Sequence, residues 1–194
     1  MNRLVVATTN TNKVVEVRSG LSGLAGWSVD SLPEGLPGIE ETGETFLANA
    51  LLKAIHFSGS VDAVVLADDS GLCVAALDGR PGVLSARYAD SDADRNRRLL
   101  AEMSEIPDHR RQASFVCALA VARFGKPLWT GEGRVEGLIT RSLQGTQGFG
   151  YDPLFMVPEF GKTMAELSLE EKNRTSHRGL ALRRLQAFLS QTGR

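Results

Sequence analysis

The short β-branched run Val61–Ala67 breaks directly into Asp68-Asp69-Ser70-Gly71, and that junction constrains the chain more than any other feature. β-Branched side chains suit a pleated, half-buried surface, so the run reads as a strand ending in polar residues. Open α/β sheets keep their sites at such carboxyl ends. The amino terminus repeats the pattern: Leu4–Ala7 is an apolar run, and Thr8-Thr9-Asn10-Thr11-Asn12 follows it. Beyond that loop Val14, Val17 and Leu21 fall at i, i+3 and i+7, with Val15 beside them and Gly23 near the stop, the stripe of an amphipathic helix. The chain therefore opens as strand, polar loop, helix.

The same arguments place further elements. Trp27–Leu32 reads as a second strand, and Pro33–Gly38 breaks regular structure before the acidic stretch Glu40-Glu41-Thr42-Gly43-Glu44. A helix follows from Thr45 to Phe57, with Leu47, Ala50, Leu51, Ala54 and Ile55 on an apolar face and Asn49 and Lys53 on another. Asp90–Met103 reads as a helix and Ala113–Ala122 as a long apolar strand. Leu128-Trp129-Thr130 is expected to pair antiparallel with Arg134–Ile139 across Gly131 and Gly133. Gly145–Pro153 is a loop by composition, and a last helix from about Ser176 turns Leu182, Leu185 and Leu189 inward. Strands and helices alternate early and strands dominate later, so the expected fold is a mixed-sheet α/β domain.

At 194 residues the chain can bury a sizeable core without disulfides or structural metal, and nothing in its composition marks a second domain within 1–194. A formal net charge of −1 argues against broad neutralisation of a nucleic-acid backbone, so any phosphate recognition is local. Cys73 and Cys117 each sit in an apolar run with no partner at metal-ligand spacing, which reads as small buried hydrophobes in a reducing compartment. No segment reaches the roughly 18 apolar residues of a membrane span, and the amino terminus is too short in apolar residues for a signal peptide. The expected location is the cytoplasm.

Four segments can carry chemistry. Thr8, Thr9, Asn10, Thr11, Asn12 and Lys13 lie between a strand and a helix amino end, where backbone N–H groups, hydroxyls and an ammonium converge on a point that favours phosphate. It is not a Walker A loop, having no glycine; taken alone, a capping Asn and a solvated lysine would account for it. Asp68 and Asp69 ending an apolar strand need a cation to offset desolvation, and magnesium, which takes one or two carboxylates and bridges to substrate phosphates, is the natural candidate. Glu40, Glu41 and Glu44 join this acidic set, or simply complement a helix amino end. Phe149 and Tyr151 lie among glycines beside Asp152, a pattern that suits stacking on a base as well as anchoring a core. Lys172, His177 and Arg178 place cations near a helix amino end, where the dipole disfavours them, which points to a ligand or to solvated surface.

Together these segments resemble the inosine triphosphate pyrophosphatase family, which hydrolyses deaminated purine nucleoside triphosphates to the monophosphate and pyrophosphate. The resemblance runs nearly end to end. It is carried by Thr8-x-Asn10-x-x-Lys13-x-x-Glu16, Glu40-Glu41-Thr42-Gly43-x-Thr45-Phe46, Ala67-Asp68-Asp69-Ser70-Gly71-Leu72, Pro81-Gly82-Val83-x-Ser85-Ala86-Arg87-Tyr88, Gly148-Phe149-Gly150-Tyr151-Asp152-Pro153 and Ser176-His177-Arg178-Gly179. It implies an elongated two-lobed α/β domain around a central nucleotide-binding cleft, working as a homodimer. Thr8 to Lys13 would cradle the triphosphate and Lys53 would add a phosphate contact. Glu41 with Asp69 would hold magnesium beside Asp68, Asp69 would accept the proton, and Ser70 would touch substrate. Phe149, Gly150, Tyr151, Asp152, Lys172, His177 and Arg178 would hold the base. Thr9 and Gln147 stand where the family usually has glycine.

The implied mechanism has magnesium, Lys13 and Lys53 drawing charge off the polyphosphate while Asp69 deprotonates a water that attacks the α-phosphate. A carbonyl at purine position 6 rewards donors such as Arg178, whereas adenine would set donor against donor. Two alternatives stand beside this: a pyrophosphatase for other modified nucleotides, and a sensor module that binds triphosphate without cleaving it. Adjacent carboxylates near phosphates argue against the sensor.

Overall fold

The computed structural model describes residues 1–192. Seven strands form one mixed sheet in the order β2-β1-β3-β4-β5-β6-β7, where β1 is Asn2–Val6, β2 Trp27–Ser31, β3 Val64–Val74, β4 Gln112–Arg123, β5 Lys126–Ile139, β6 Phe155–Val157 and β7 Lys162–Thr163. β1 pairs parallel with β2 and β3, and β6 pairs antiparallel with β5 and β7. The five α-helices among the described residues are α1 Thr11–Gly20, α2 Phe46–Ser58, α3 Asp92–Glu102, α4 Leu169–Thr175 and α5 His177–Thr192. The chain divides into two compact units, and β3, β4 and β5 each contribute to both.

The first unit comprises Met1–Asp69, Cys117–Gly133 and the described residues from His177 onward. Its core packs Leu4 and Val6 of β1, Val17 and Leu21 of the first helical segment, Leu66 of β3, Leu119 and Val121 of β4, and Leu182, Leu185 and Leu189 of α5. The expected stripes of α1 and α5 are therefore the buried ones, while Val15 is exposed. Helix α2 is rotated from its expected face. Phe46, Asn49, Ala50, Ala54 and Phe57 are buried, and Ile55 is exposed.

The second unit comprises Ser70–Val116 and Arg134–Ser176, with its own core of Leu72, Val74, Leu99, Met103, Phe115, Ile139, Tyr151, Leu154 and Phe155. It contains β6, β7 and α4, which are too short to show a hydrophobic period in the sequence. Ser168 and Glu171 close a reciprocal capping box on α4, which compensates for its length.

Two expectations are corrected by the strands. β3 does not end at Ala67 but runs through Asp68 and Asp69 to Val74, with both aspartates buried. Hydropathy reads a carboxylate as an exit to solvent, and it does not register that the charge is paired inside. Leu128–Thr130 and Arg134–Ile139 are not two paired strands but parts of the single strand β5. The reversal lies earlier, at Phe124-Gly125, where φ values of 51° and 72° match the left-handed geometry of a two-residue hairpin turn. Gly133 serves close approach instead: a Cβ there would run into the carbonyl of His177 and the amide of Ala181 at the start of α5.

Cys73 and Cys117 are free thiols, and no described helix is long and apolar enough to cross a membrane.

Candidate active site

Consecutive side chains of a strand point to opposite faces of its sheet, so Asp68 and Asp69 meet different elements. On one side, Asp68 receives the guanidinium of Arg178 from α5, with Nε to Oδ2 at 2.8 Å, the ammonium of Lys13 from α1, and the thiol of Cys117 from β4 at 3.1 Å. Arg178 also donates to Glu16 of α1. Burial pushes the Asp68 carboxyl up, but Arg178 and Lys13 outweigh it and hold the group well below the usual carboxylate range. Burial likewise works against the charge on Arg178, and Asp68 and Glu16 reverse it, leaving the guanidinium firmly protonated. The Cys117 thiol is driven far up by burial and by Asp68, so it is a hydrogen-bond donor and not a thiolate.

On the other side, Asp69 faces α2. Asn49 Nδ2 donates to Asp69 Oδ2 at 3.1 Å, and Lys53 Nζ lies 3.5 Å from Oδ1. The same ammonium donates to Glu41 Oε1 at 2.5 Å, so Lys53 bridges the two acids. Burial raises the Asp69 carboxyl, and Glu41 adds to this; Lys53, Lys13 and Asn49 pull it down without cancelling the rise. Glu41 is thus distinguished from Glu40 and Glu44, which are exposed.

A cavity of about 190 Å³ opens beside this group, lined by Ala7, Thr8, Thr9, Leu32, Gly38, Ile39, Glu41, Lys53 and Phe57. Thr8 and Thr9 reach it because β1 delivers them to the amino end of α1, where Asn10 caps the helix by accepting from Asn12 N and Lys13 N. Asn10 is therefore a cap, whereas Lys13 is turned inward onto Asp68 and not solvated. Thr11 and Asn12 form the exposed first turn. Neither Thr9 nor Gln147 has positive φ, so the backbone here asks for glycine at neither position.

The second unit holds Ser70 and the Phe149–Asp152 loop. Asp152 Oδ2 accepts from Phe149 N at 3.1 Å and from Lys172 Nζ at 2.8 Å, and the Lys172 ammonium stands 5.6 Å from the centre of the Phe149 ring. Gly150 is gripped by α3: Asp92 Oδ2 accepts from its N–H at 2.8 Å and Asn96 Nδ2 donates to its carbonyl at 2.9 Å. The buried Tyr151 donates to the Ser85 carbonyl at 3.0 Å and anchors the loop in the core. The residues expected at the base thus fall in two groups, Phe149–Asp152 and Lys172 in this unit, His177 and Arg178 in the first.

The sequence pattern of the Ham1 family matches residues 4–188. The chain belongs to the Ham1 family. It is 48% identical to the dITP/XTP pyrophosphatase of Geobacter sulfurreducens, over 100% of this chain and 99% of that one. It is 47% identical to the dITP/XTP pyrophosphatase of Halalkalibacterium halodurans, over 97% of this chain and 100% of the relative. Among solved structures, a HAM1 protein from Coxiella burnetii superposes with a TM-score of 0.88 at 41% identity, covering 98% of this chain and 100% of that one.

Within this Ham1 fold three further polar partners, to which the sequence motifs assign no role, support the site. Glu16 and Cys117 hold the Arg178–Asp68 pair, and Asn49 holds Asp69. One signal for Asn49 was available: it sits four residues before Lys53 on α2, so the two share a face.

Proposed function

We propose that this chain hydrolyses dITP, XTP and related deaminated purine nucleoside triphosphates to the monophosphate and pyrophosphate, keeping these bases out of DNA and RNA. The observation that carries the reading is Lys53, whose ammonium bridges Glu41 and Asp69 at the wall of a cavity that Thr8 and Thr9 also line. Family membership and the names of the relatives support it.

The residues fit a magnesium ion. A cationic ammonium already lies between Glu41 and Asp69, and magnesium needs only one or two carboxylates, so the lack of a three-residue ligand cluster among the described residues is no obstacle. Glu41 and Asp69 would hold it, and when bound it neutralises charge on the departing pyrophosphate. Asp69, held by Asn49 and Lys53, orients a water and takes its proton as the water attacks the α-phosphate and pyrophosphate departs. Lys13 and Lys53 draw charge off the polyphosphate, and positioning of this kind is most of what phosphoryl chemistry requires. Asp68, engaged by Lys13 and Arg178, serves in this reading as their counter-ion.

Base recognition is proposed for Phe149, Gly150, Tyr151, Asp152 and Lys172 of the second unit and for His177 and Arg178 of the first, since N–H donors favour a carbonyl at purine position 6 over an amine. In the same reading residues 1–194 act as one domain, and the working form is a cytoplasmic homodimer.

The test is pyrophosphate release from dITP, XTP, GTP and ATP, with magnesium and with EDTA, for the wild type and Asp69→Asn. Release favouring the first two, absent in EDTA and lost in Asp69→Asn, is the expected result. Tight nucleotide binding without release would favour the sensor reading.

A further inference from the structure

Resting on that pyrophosphatase reading, we infer that Asn49 is a positioning residue that sets the spacing between the two metal-holding carboxylates, Glu41 and Asp69. The rotation of α2 places Asn49 on the buried face, where its side chain is fully enclosed. Its Oδ1 accepts the Gly43 N–H at 2.7 Å and its Nδ2 donates to Asp69 Oδ2 at 3.1 Å. The amide has only one workable orientation: a backbone N–H can only donate, so the oxygen must face Gly43 and the NH₂ must face Asp69. One side chain thereby ties Asp69 of β3 to the backbone two residues beyond Glu41. Gly43 is part of the device. A Cβ at that position would sit 2.6 Å from Asn49 Oδ1 and 2.8 Å from the Ala48 Cβ, so a side chain there would push the amide away.

Lys53, one turn further along α2, makes a second link between the same two acids. The two links differ in kind. A divalent cation held by Glu41 and Asp69 would compete with the Lys53 ammonium for the same carboxylates, because like charges repel. The Asn49 amide is neutral and contacts the other oxygen of Asp69, so it can stay in place throughout. Asn49 would then keep Asp69 tied to the backbone beside Glu41 whichever cation the two acids hold, as outer-shell partners of metal ligands do.

The experiment measures Mn²⁺ binding to the intact protein by the loss of the free-ion EPR signal, for wild type, Asn49→Ala and Gly43→Ala, with circular dichroism to check folding. Both variants are expected to stay folded and to bind Mn²⁺ about 10- to 100-fold more weakly. Their kcat for dITP should recover as magnesium is raised, which a purely structural defect would not allow. Gly43→Ala is decisive in its own right, since it leaves Asn49 chemically intact. Unchanged Mn²⁺ affinity in folded Asn49→Ala overturns the inference, as does loss of the folded state in both variants, which would assign the amide to stability alone. A wild type that neither binds Mn²⁺ nor releases pyrophosphate overturns the functional reading instead; one that does both, beside an Asn49→Ala protein that binds equally well, overturns only the role of Asn49.

Discussion

Asp68 and Asp69 are adjacent on β3, yet one carboxylate is held by Lys13 and Arg178 and the other by Asn49 and Lys53, and their pKa values move in opposite directions. The division follows from their partners: Asp68 meets two cations that outweigh its burial, whereas Asp69 meets one close ammonium and an amide that do not.

Asp68→Asn should therefore destabilise the fold. It leaves Arg178 with its charge only partly compensated in the core, and breaking a buried pair costs on the order of 3–5 kcal/mol, roughly a 6–20 °C fall in Tm for a chain of this size. The Asp68 carboxyl lies below its unfolded value, so its contribution is full above that value and is lost as pH falls through the folded one. Calorimetry across pH should show the wild-type advantage at neutrality shrinking below about pH 4.

Asp69→Asn should behave the other way. The Asp69 carboxyl is raised on folding, so ionised Asp69 weakens the fold progressively as pH rises above its unfolded value toward the folded one. At pH 7–8 the Asn variant is expected to melt no lower than wild type while pyrophosphate release falls by orders of magnitude. A clear drop in Tm would contradict this.

Lys53→Met removes the strongest influence lowering the Asp69 carboxyl. A base must be deprotonated to act, so the acidic limb of kcat/KM against pH should move to higher pH, and kcat should fall about 100-fold. Profiles with coincident acidic limbs would detach Lys53 from the titration of Asp69.

In the second unit, Asn96→Ala releases one side of the grip on Gly150. If the neighbouring loop holds the base, KM for dITP should rise about tenfold, some 1.4 kcal/mol, with a smaller change in kcat. Steady-state kinetics on dITP settle the point, and unaltered KM would separate this loop from base recognition.

Much of this was legible in one dimension. The order strand, polar loop, helix at the amino terminus follows from local periodicity, as do the buried stripes Val14–Leu21 and Leu182–Leu189. The segments Thr8–Lys13 and Asp68–Asp69 stand out because polar groups interrupting apolar patterns are costly unless used, whereas Glu41 and Lys53 are singled out only by the family resemblance. Illegible features share one cause. Hydropathy alone ends β3 at Ala67 and turns the wrong face of α2 inward, because both depend on what packs against them.

The sequence by itself determined the alternating elements and the short list of residues able to carry chemistry, since propensity, capping and hydrophobic period act over a few residues. Only the tertiary structure decided which aspartate is fully paired and which keeps a raised carboxyl. Arg178 reaches Asp68 across 110 residues of chain and Glu16 across 162, and Asn49 reaches Asp69 across 20. Whether a buried charge is neutralised or left raised depends on such distant partners, and the two carboxylates that share one strand have no way to differ until the helices on its two faces supply them.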